Sequence, residues 1–390
     1  MCQKPQREKV AQSATRQMAK PWPTAGGGRQ RAASDGSTLR WRRQRGMVCE
    51  AMLVRGLFLG VSTALLLGCG FDPLARCAGR DVSAGDSLEC PVPQWDDRSF
   101  QLQLPDSWDG SSPLPLVVAF HGGGGNRKSA NSVTCPGGHT GNAGCLAKIA
   151  RRRGYAVVLP DGTGTRPLRA VRTWNAGGGQ DGWNCTSGGA CRSGVDDEAY
   201  FDDLLAEVRR TVPVDRRRIH ATGLSNGGAM AHRVACARSD VLASIVSVGS
   251  GNQYAAAGGD CAGGVAVLQI HGTDDPCWTY ETSSESCLDD HGGDKIGAEE
   301  SAESWRQRNG CDAMAEEDVP LDVRDAADPT RAYRRSYAGC AADVELIRLE
   351  GAGHTWPGGD QYLKVSRIGR VSRQIDSELI VEFMDAHPRP

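Results

Sequence analysis

The feature that most constrains this chain is a G-x-S-x-G pentapeptide that stands between a strand-like segment and a helix-compatible one. It reads Gly223-Leu224-Ser225-Asn226-Gly227, after RRIHAT and before an alanine-rich stretch. A strand that reverses directly into a helix strains the central serine, and flanking side chains would collide there. Glycine on both sides removes that collision. The motif therefore predicts a strand, a tight turn and a helix that present Ser225 as a nucleophile.

Short apolar runs alternate with helix-compatible segments from about residue 96 onward. LPLVVAF at 114–120, YAVVLP at 155–160 and the later VAVLQIHG and VELIRLEG are nearly continuous apolar runs, which is typical of buried parallel strands. Phe201, Leu204, Leu205 and Val208 recur with helical spacing, as expected of a helix packed on the sheet. We predict an α/β fold, with a mostly parallel central sheet flanked by helices in one domain.

A second glycine-rich motif follows an apolar strand and ends it with a histidine. The segment LVVAFHGGGGN continues from His121 through four glycines. Backbone N–H groups of such a loop can face a developing oxyanion, so we predict the oxyanion donors to be Gly122, Gly123 and Asn226. A flexible glycine-rich turn is the alternative interpretation. His121 itself is expected to be structural.

A serine hydroxyl is a weak nucleophile at neutral pH, so it requires a histidine and a carboxylate from elsewhere in the chain. VAVLQIHGTDDP presents Asp274 and Asp275 just after a buried strand, and GAGHTWPGG presents His354 in a later loop. The chain order of serine, acid and histidine is the order found in α/β hydrolases. We therefore predict a catalytic set of Ser225, His354 and one of these two aspartates.

Composition argues against several other function classes. The chain has 45 Lys+Arg against 47 Asp+Glu, so no global field attracts nucleic acid. Its 15 cysteines leave twelve once Cys2, Cys49 and Cys69 are set aside, and they show neither metal-ligand spacing nor a C-x-x-C pair. This cysteine density suggests an oxidising compartment, and we expect no metal and no organic cofactor.

Short loops close at lower entropic cost, so the cysteines are expected to pair with sequence neighbours. The expected disulfides are Cys77 with Cys90, Cys135 with Cys145, Cys185 with Cys191, Cys236 with Cys261, Cys277 with Cys287, and Cys311 with Cys340.

The amino terminus is organised as an export segment. Residues 1–51 are arginine-rich without apolar periodicity, and we expect them to be disordered or to reflect a start codon assigned too early. Residues 52–68 have the layout of a signal peptide, with a basic start and a short apolar run. Leu66-Leu67-Gly68-Cys69 resembles a lipobox, so free secretion and a lipid anchor at Cys69 both remain open. A tether at 69–95 and a catalytic domain at 96–390 complete the predicted organisation.

Taken together, these motifs resemble the secreted polyhydroxybutyrate depolymerase and feruloyl or acetylxylan esterase group of α/β hydrolases. The resemblance runs from about Asp96 to His387 and rests on HGGGGN, GLSNGGAMAHRVAC, HGTDDPCWTY, RNGC and GAGHTWPGG. It implies Asp275 as the acid, with Asp274 as a lesser alternative. It also implies substrate contacts from Trp183 and Trp356, for which structural packing is the alternative. The acidic segment from Glu281 to Glu299 departs from the group and leaves the pocket's shape open.

The resulting expectation is a secreted or lipid-anchored, monomeric serine esterase that acts on a polymeric or oligomeric ester. The esters that the resemblance implies are polyesters and plant polysaccharide esters. A peptidase on the same fold would use the same three residues, and a non-catalytic surface protein derived from a hydrolase is the other alternative. Neither nucleic acid nor, apart from a lipid anchor, a membrane is an expected partner.

Overall fold

The computed structural model describes residues 77, 79–164, 171–186, 188–287, 292–313 and 317–390. The signal peptide, the lipobox and the arginine-rich segment of the sequence analysis lie outside the described residues. From Cys77 on, the described residues belong to one compact unit. In the part of the chain that is described, none of the helices has the length and apolarity that crossing a membrane requires.

Three strands near the centre of the sheet, Leu114–Phe120, Ala156–Pro160 and Ser244–Val248, are buried along their whole length and consist mostly of β-branched and other apolar residues. The strands are β1 (Ser87–Pro91), β2 (Ser99–Gln103), β3 (Leu114–Phe120), β4 (Ala156–Pro160), β5 (Thr163–Gly164), β6 (Arg172–Thr173), β7 (Val214–Leu224), β8 (Ser244–Val248), β9 (Ala266–Gly272), β10 (Val319–Pro320), β11 (Arg331–Tyr337) and β12 (Val344–Glu350). The helices are α1 (Arg127–Val133), α2 (Leu146–Arg152), α3 (Gly189–Arg192), α4 (Asp197–Thr211), α5 (Asn226–Ala237), α6 (Gln253–Ala256), α7 (Ala298–Arg308), α8 (Val365–Ile368) and α9 (Ser377–Ala386), with a 3₁₀ turn at Pro136–Gly138.

Ten strands form one sheet in the order β1-β2-β4-β3-β7-β8-β9-β12-β11-β10. The pairs from β4 through β12 are parallel, whereas β1, β2, β11 and β10 pair antiparallel at the two edges. The centre of the sheet is thus the predicted parallel α/β arrangement. The antiparallel edges were not anticipated, because their strands are short and partly polar.

The core lies on both faces of the sheet. Alternate residues of β3 point to opposite sides, so that Leu116 and Val118 join one apolar cluster and Val117 joins the other. Helices α4, α5 and α7 cover the first face, while α2 and α9 cover the second. Carboxyl ends of the parallel strands therefore meet at one edge, where the loops carry the motifs of the sequence analysis.

The segment at 69–95 was expected to be a tether, and the structure corrects this for its described part. Strand β1 pairs with β2 along its whole length, and Cys90 within it is bonded to Cys77. Edge pairing and a disulfide make this segment part of the domain. The reason is that backbone groups of β1 complete the hydrogen bonding of β2, which would otherwise be an open sheet edge.

Six disulfides connect the described residues, and they join the same partners as expected from sequence order. They are Cys77–Cys90, Cys135–Cys145, Cys185–Cys191, Cys236–Cys261, Cys277–Cys287 and Cys311–Cys340. The separations run from 6 to 29 residues, so every one closes a local loop. A domain with this many disulfides fits an oxidising compartment.

Candidate active site

Ser225 lies at a sharp turn between β7 and α5. Its φ is 59° and its ψ is −128°, a conformation that side chains other than glycine rarely adopt. Asp181 is the other residue besides glycine with a positive φ among the described residues. The strain is sustained because β7 is paired on both sides and α5 packs against it. This is the strand, turn and helix that the pentapeptide predicted.

The two glycines that flank the serine are required by close packing against the end of β3. A Cβ on Gly223 would lie 2.8 Å from the Phe120 carbonyl oxygen, and a Cβ on Gly227 would lie 2.5 Å from the His121 carbonyl oxygen. Real Cβ atoms do not approach carbonyl oxygens this closely. The motif therefore brings the turn against the loop after β3, where the oxyanion donors are expected.

A cavity of about 260 Å³ opens at this edge of the sheet. Ser225 and His354 both line it, together with the glycine loop. The remaining lining residues are mainly apolar: Ser129, Val133, Leu224, Cys277, Cys287, Tyr362, Leu363 and Ile368. Among the described residues no hydrogen bond joins the Ser225 hydroxyl to His354. Ser225 and His354 thus line one cavity without a hydrogen bond between them, as is common in ligand-free catalytic sites.

The base is paired with a buried carboxylate. His354 Nδ1 lies 2.7 Å from Asp275 Oδ2, and the two residues are 79 positions apart in the chain. Since Nδ1 contacts Asp275, Nε2 is the nitrogen that remains for the nucleophile. Asp274 is exposed and contacts the Thr273 hydroxyl instead. Of the two candidate acids, Asp275 is therefore the one that contacts the base.

Asp275 is held in an environment that keeps it ionised. Burial by itself raises the pKa of this carboxyl, but the nearby His354 and His271 lower it, and the result is a pKa below the ordinary range. The backbone N–H groups of Cys277 and Trp278 also donate to Asp275 Oδ1, at 2.8 and 2.9 Å. A charged acid at this place orients the imidazole of His354 and stabilises its protonated form.

Sequence reasoning missed three residues that shape the acid–base pair. His271 Nε2 lies 3.3 Å from Asp275 Oδ2 and 2.7 Å from the Trp278 carbonyl oxygen. Tyr362 donates its hydroxyl hydrogen to the His354 carbonyl oxygen at 2.9 Å. At Gly249, which has a φ of 55°, a Cβ would lie 3.3 Å from His354 Nδ1. The position of His271 in HGTDDP was a sequence signal that could have identified it. Tyr362 and Gly249 have no such signal in the sequence.

Two amides of the loop after β3 are used in backbone hydrogen bonds. Gly124 N–H donates to the Arg172 carbonyl and Gly125 N–H donates to the Gly122 carbonyl. Within the described part of the chain, the N–H groups of Gly122 and Gly123 have no acceptor. A Cβ on Gly122 would lie 3.7 Å from Ser225 Cβ, so this loop is next to the nucleophile. These are the two glycines that the sequence analysis named.

His121 fixes this loop from behind. Its Nδ1 lies 2.8 Å from the Gly122 carbonyl oxygen, and its Nε2 accepts the Gly162 N–H at 2.9 Å. These contacts require a neutral ring with its hydrogen on Nδ1. Burial, only partly offset by the Gly122 hydrogen bond, lowers the pKa of His121 to about 4, so the ring stays neutral at physiological pH. The role is structural, as expected.

Asn226 connects the nucleophile turn to a buried tryptophan. The Asn226 side chain accepts the Trp174 N–H at 2.8 Å and donates to the Trp174 carbonyl at 3.1 Å. Trp174 in turn donates its indole hydrogen to the His121 carbonyl at 2.9 Å. As the first residue of α5, Asn226 has an N–H with no partner inside the helix. Its side chain therefore holds the turn, and its backbone N–H is not used within the helix.

Neither of the two tryptophans that were expected to contact substrate is among the residues that line the cavity. Trp356 is 1% exposed, packs in the apolar core and donates to the Ser377 hydroxyl at 2.9 Å. This burial corrects the expected substrate contact, because the indole packs among apolar residues on the sheet's second face and is not among the residues that line the cavity. Trp183 is half-buried, bridges to Asp294 and is not among the residues that line the cavity. Its contact with substrate stays a prediction.

One group of potential metal ligands occurs in the described part of the chain, and it coincides with this site. Side-chain ligand atoms of Asp275, Cys277 and His354 lie within 4.8 Å of one another. The Cys277 sulfur is bonded to Cys287, so it is not a thiolate ligand. The remaining carboxylate and imidazole are already hydrogen-bonded to each other. The donor set therefore fits an acid–base pair and not a metal centre.

The sequence of this chain is similar to those of known esterases. No protein-family model matches the chain. Feruloyl esterase C of Emericella nidulans is 28% identical over 315 residues, which cover 80% of this chain and 91% of that protein. A probable feruloyl esterase C of Aspergillus niger is 26% identical over the same shares. This chain is a homologue of feruloyl esterases.

The fold has a counterpart among solved structures. An acetyl xylan esterase from Aspergillus awamori superposes with a TM-score of 0.50 at 13% identity, over 77% of this chain and 99% of that one. At this identity the similarity concerns the fold alone. The chain has the α/β-hydrolase fold, with its mostly parallel sheet, flanking helices and several disulfides.

Proposed function

We propose that this chain is an exported serine carboxylic-ester hydrolase that works through an acyl-enzyme. The observation that carries the proposal is the cavity shared by Ser225, in its strained turn, and His354, whose Nδ1 contacts the buried Asp275. Homology to feruloyl esterases supports ester hydrolysis as the reaction. A non-catalytic surface protein would have no need of a strained serine or of a buried, ionised acid.

In the first step, Ser225 Oγ attacks the ester carbonyl while His354 Nε2 takes the hydroxyl proton. The serine side chain must turn toward Nε2 when the ester binds, since the two are not hydrogen-bonded beforehand. Asp275 stabilises the imidazolium that forms, through the 2.7 Å contact to Nδ1. The alcohol then leaves with the proton from His354, and the acyl group remains on Ser225.

Negative charge on the former carbonyl oxygen requires donors that are already in place. Gly122 and Gly123 line the cavity beside Ser225, and Asn226 follows the serine directly, so we assign the backbone N–H groups of these three residues as the donors. The amino end of α5 adds a favourable dipole. Such preorganised donors contribute about 2.7 to 4 kcal/mol each in a well-studied serine protease. Water then repeats the same steps on the acyl-enzyme and releases the acid.

The substrates that fit the proposal are feruloyl or acetyl esters of plant polysaccharides, and short polyhydroxybutyrate-type polyesters. Similarity to feruloyl esterases favours the first group. Polymeric substrates do not enter cells, so the enzyme would have to be exported. Six disulfides in the described residues fit export. We propose residues 52–68 as the cleaved signal, with the mature chain either free or lipid-anchored through Cys69.

The experiment that tests this function is a substrate panel run on the wild type and on Ser225→Ala. The panel contains p-nitrophenyl acetate, methyl ferulate, acetylated xylan, polyhydroxybutyrate and a p-nitroanilide amide. We expect ester hydrolysis by the wild type, a loss on the order of 10³-fold or more in Ser225→Ala, and little amide hydrolysis. Ser111→Ala, at an exposed serine outside the cavity lining, serves as the control and should keep full activity.

Two results would contradict the proposal. Ester hydrolysis that persists in Ser225→Ala would place the nucleophile elsewhere. Amide hydrolysis that exceeds ester hydrolysis would favour a peptidase built on the same three residues.

A further inference from the structure

The cavity beside Ser225 has a wall made by a disulfide. Cys277 and Cys287 both line it, together with the glycine loop after β3. Cys277 is 6% exposed, and its sulfur is within 4.8 Å of the side-chain ligand atoms of Asp275 and His354. The bond therefore lies beside the acid–base pair and on the surface of the cavity.

This wall is fixed to the catalytic acid. Cys277 donates its backbone N–H to Asp275 Oδ1 at 2.8 Å, so the backbone that carries the disulfide also orients the acid. The carbonyl of Cys277 accepts a hydrogen bond from Lys295 Nζ at 2.9 Å, and the same ammonium donates to the Ser286 hydroxyl at 3.0 Å. Lys295 is itself buried. The disulfide and the lysine thus hold both ends of the segment 277–287 in place.

The remaining walls are neutral and mostly apolar. Val133, Leu224 and Ile368 contribute aliphatic surface, and no carboxylate, lysine or arginine side chain occurs among the described lining residues. Discrimination in such a cavity depends on size, because no charged group on the substrate could be matched there. A rigid disulfide that cannot move aside is well suited to set the size limit.

We propose that the Cys277–Cys287 disulfide is the specificity-determining wall of this site, and that it limits the bulk of the ester group admitted beside Ser225. This inference rests on the proposed ester-hydrolase function. The segment 277–287 begins inside the motif HGTDDPCWTY and ends within the acidic region from Glu281 to Glu299, which departs from the esterase group. Its position next to Asp275 makes pocket size and the placement of the acid depend on the same few residues.

The test uses Cys277→Ala/Cys287→Ala, which removes the wall and keeps the backbone N–H that orients Asp275. Two ester series are measured: p-nitrophenyl esters with acyl groups from acetyl to benzoyl, and acetyl esters with alcohols from phenol to naphthol. We expect the ratio of kcat/KM for the bulkiest ester to that for the smallest to rise about tenfold in at least one series. If the disulfide were merely structural, its loss would lower kcat/KM for all esters by the same factor and leave the ratio unchanged.

Two further variants keep the result interpretable. Cys77→Ala/Cys90→Ala removes a disulfide of similar loop length at the sheet edge, outside the cavity lining, and its ratios should match the wild type. Lys295→Met loosens the same wall without removing the disulfide, and it should raise the ratio in the same series by about threefold. If Cys277→Ala/Cys287→Ala does not fold, the ratios measured with Lys295→Met test the proposed role of the disulfide.

The inference is overturned if the folded wall variants keep both ratios within about twofold of the Cys77→Ala/Cys90→Ala control. Failure of the proposed function would be recognised separately, because the wild type would then show no ester hydrolysis that depends on Ser225. If the kcat/KM ratios stay unchanged while ester hydrolysis still depends on Ser225, the proposed role of the disulfide is wrong and the proposed function stands.

Discussion

The two sides of the cavity are built in different ways. On the nucleophile side, Ser225 is placed by the backbone: a strained turn, two obligatory glycines and the end of a neighbouring strand. On the acid–base side, Asp275 and His354 come from loops 79 residues apart and meet through side-chain hydrogen bonds. The first is therefore encoded in a few consecutive residues, and the second depends on the assembly of the whole sheet.

This difference predicts two kinds of sensitivity. Substitutions of the two glycines on the nucleophile side should mainly affect folding, since an added Cβ would push the turn after β7 away from the end of β3. Substitutions on the acid–base side should mainly affect catalysis, since the loops there can form without the catalytic contact. The experiments below would sharpen or refute this contrast.

The largest expected effect is on the acid–base side, at Asp275→Asn. An amide in this place leaves the geometry similar but fails to stabilise the imidazolium of His354, so kcat should fall on the order of 10³-fold or more. The matched control is Asp274→Asn, at the exposed neighbouring carboxylate, which should stay within about twofold of the wild type. Steady-state kinetics on p-nitrophenyl acetate would measure both. Equal losses in the two variants would contradict the assignment of Asp275.

The next largest effect is on the nucleophile side, at Gly227→Ala. A Cβ there would lie 2.5 Å from the His121 carbonyl oxygen and closer still to that of Phe120. We expect a loss of about 3 kcal/mol or more in the free energy of unfolding. Gly141→Ala is the control, because a Cβ at that position meets nothing within 4 Å. Chemical denaturation would report both, and similar stability of the two variants would refute the packing argument.

The same contrast explains what could be predicted from the sequence. Turn chemistry and strand periodicity are local, so the Ser225 turn, the oxyanion loop and the parallel sheet were accessible. Asp275 could be preferred over Asp274 through a resemblance, but only the structure shows which carboxylate contacts His354. Trp356 was misassigned because nothing in its sequence neighbourhood reveals which way an indole turns. Tyr362 acts through a tertiary contact that no short motif encodes, and the position of His271 in HGTDDP does not reveal that its ring contacts Asp275.

Acid should weaken the fold through its nucleophile side. Burial is the main cause that lowers the pKa of His121 and His232 to about 4 and the pKa of His220 to about 3. His121 directly follows β3, His232 lies in α5 and His220 lies in β7. Below their ordinary pKa of 6.5 the unfolded chain takes up protons that the folded chain refuses. Stability should therefore fall from pH 6.5 toward pH 4, by up to about 1.4 kcal/mol per pH unit for each histidine.

Urea denaturation across this pH range measures the effect, and His220→Asn tests its origin. Asparagine preserves a polar group near the Ser244 hydroxyl, which His220 Nδ1 contacts at 2.8 Å, but does not titrate. In this variant one fewer group takes up a proton on unfolding, so the slope of the unfolding free energy against pH should decrease by up to about 1.4 kcal/mol per pH unit. An unchanged slope would mean that other groups control the acid sensitivity.

The smallest expected effect concerns Trp356→Phe. Loss of the hydrogen bond to Ser377 should cost about 1 kcal/mol of stability, while kcat/KM stays within about twofold of the wild type. Trp305→Phe is a suitable comparison, since that indole is also fully buried and donates to His232. A selective rise in KM for feruloyl esters in Trp356→Phe would restore the substrate contact expected from the resemblance.

Covalent labelling tests the central claim most directly. An aryl fluorophosphonate, which reacts with activated serine hydroxyls, should add one label per chain and abolish ester hydrolysis. Digestion with trypsin should place that label on the peptide 219–233, at Ser225, and Asp275→Asn should be labelled far more slowly. A protein that hydrolyses esters at full rate after treatment, or that carries the label on another residue, would contradict the account.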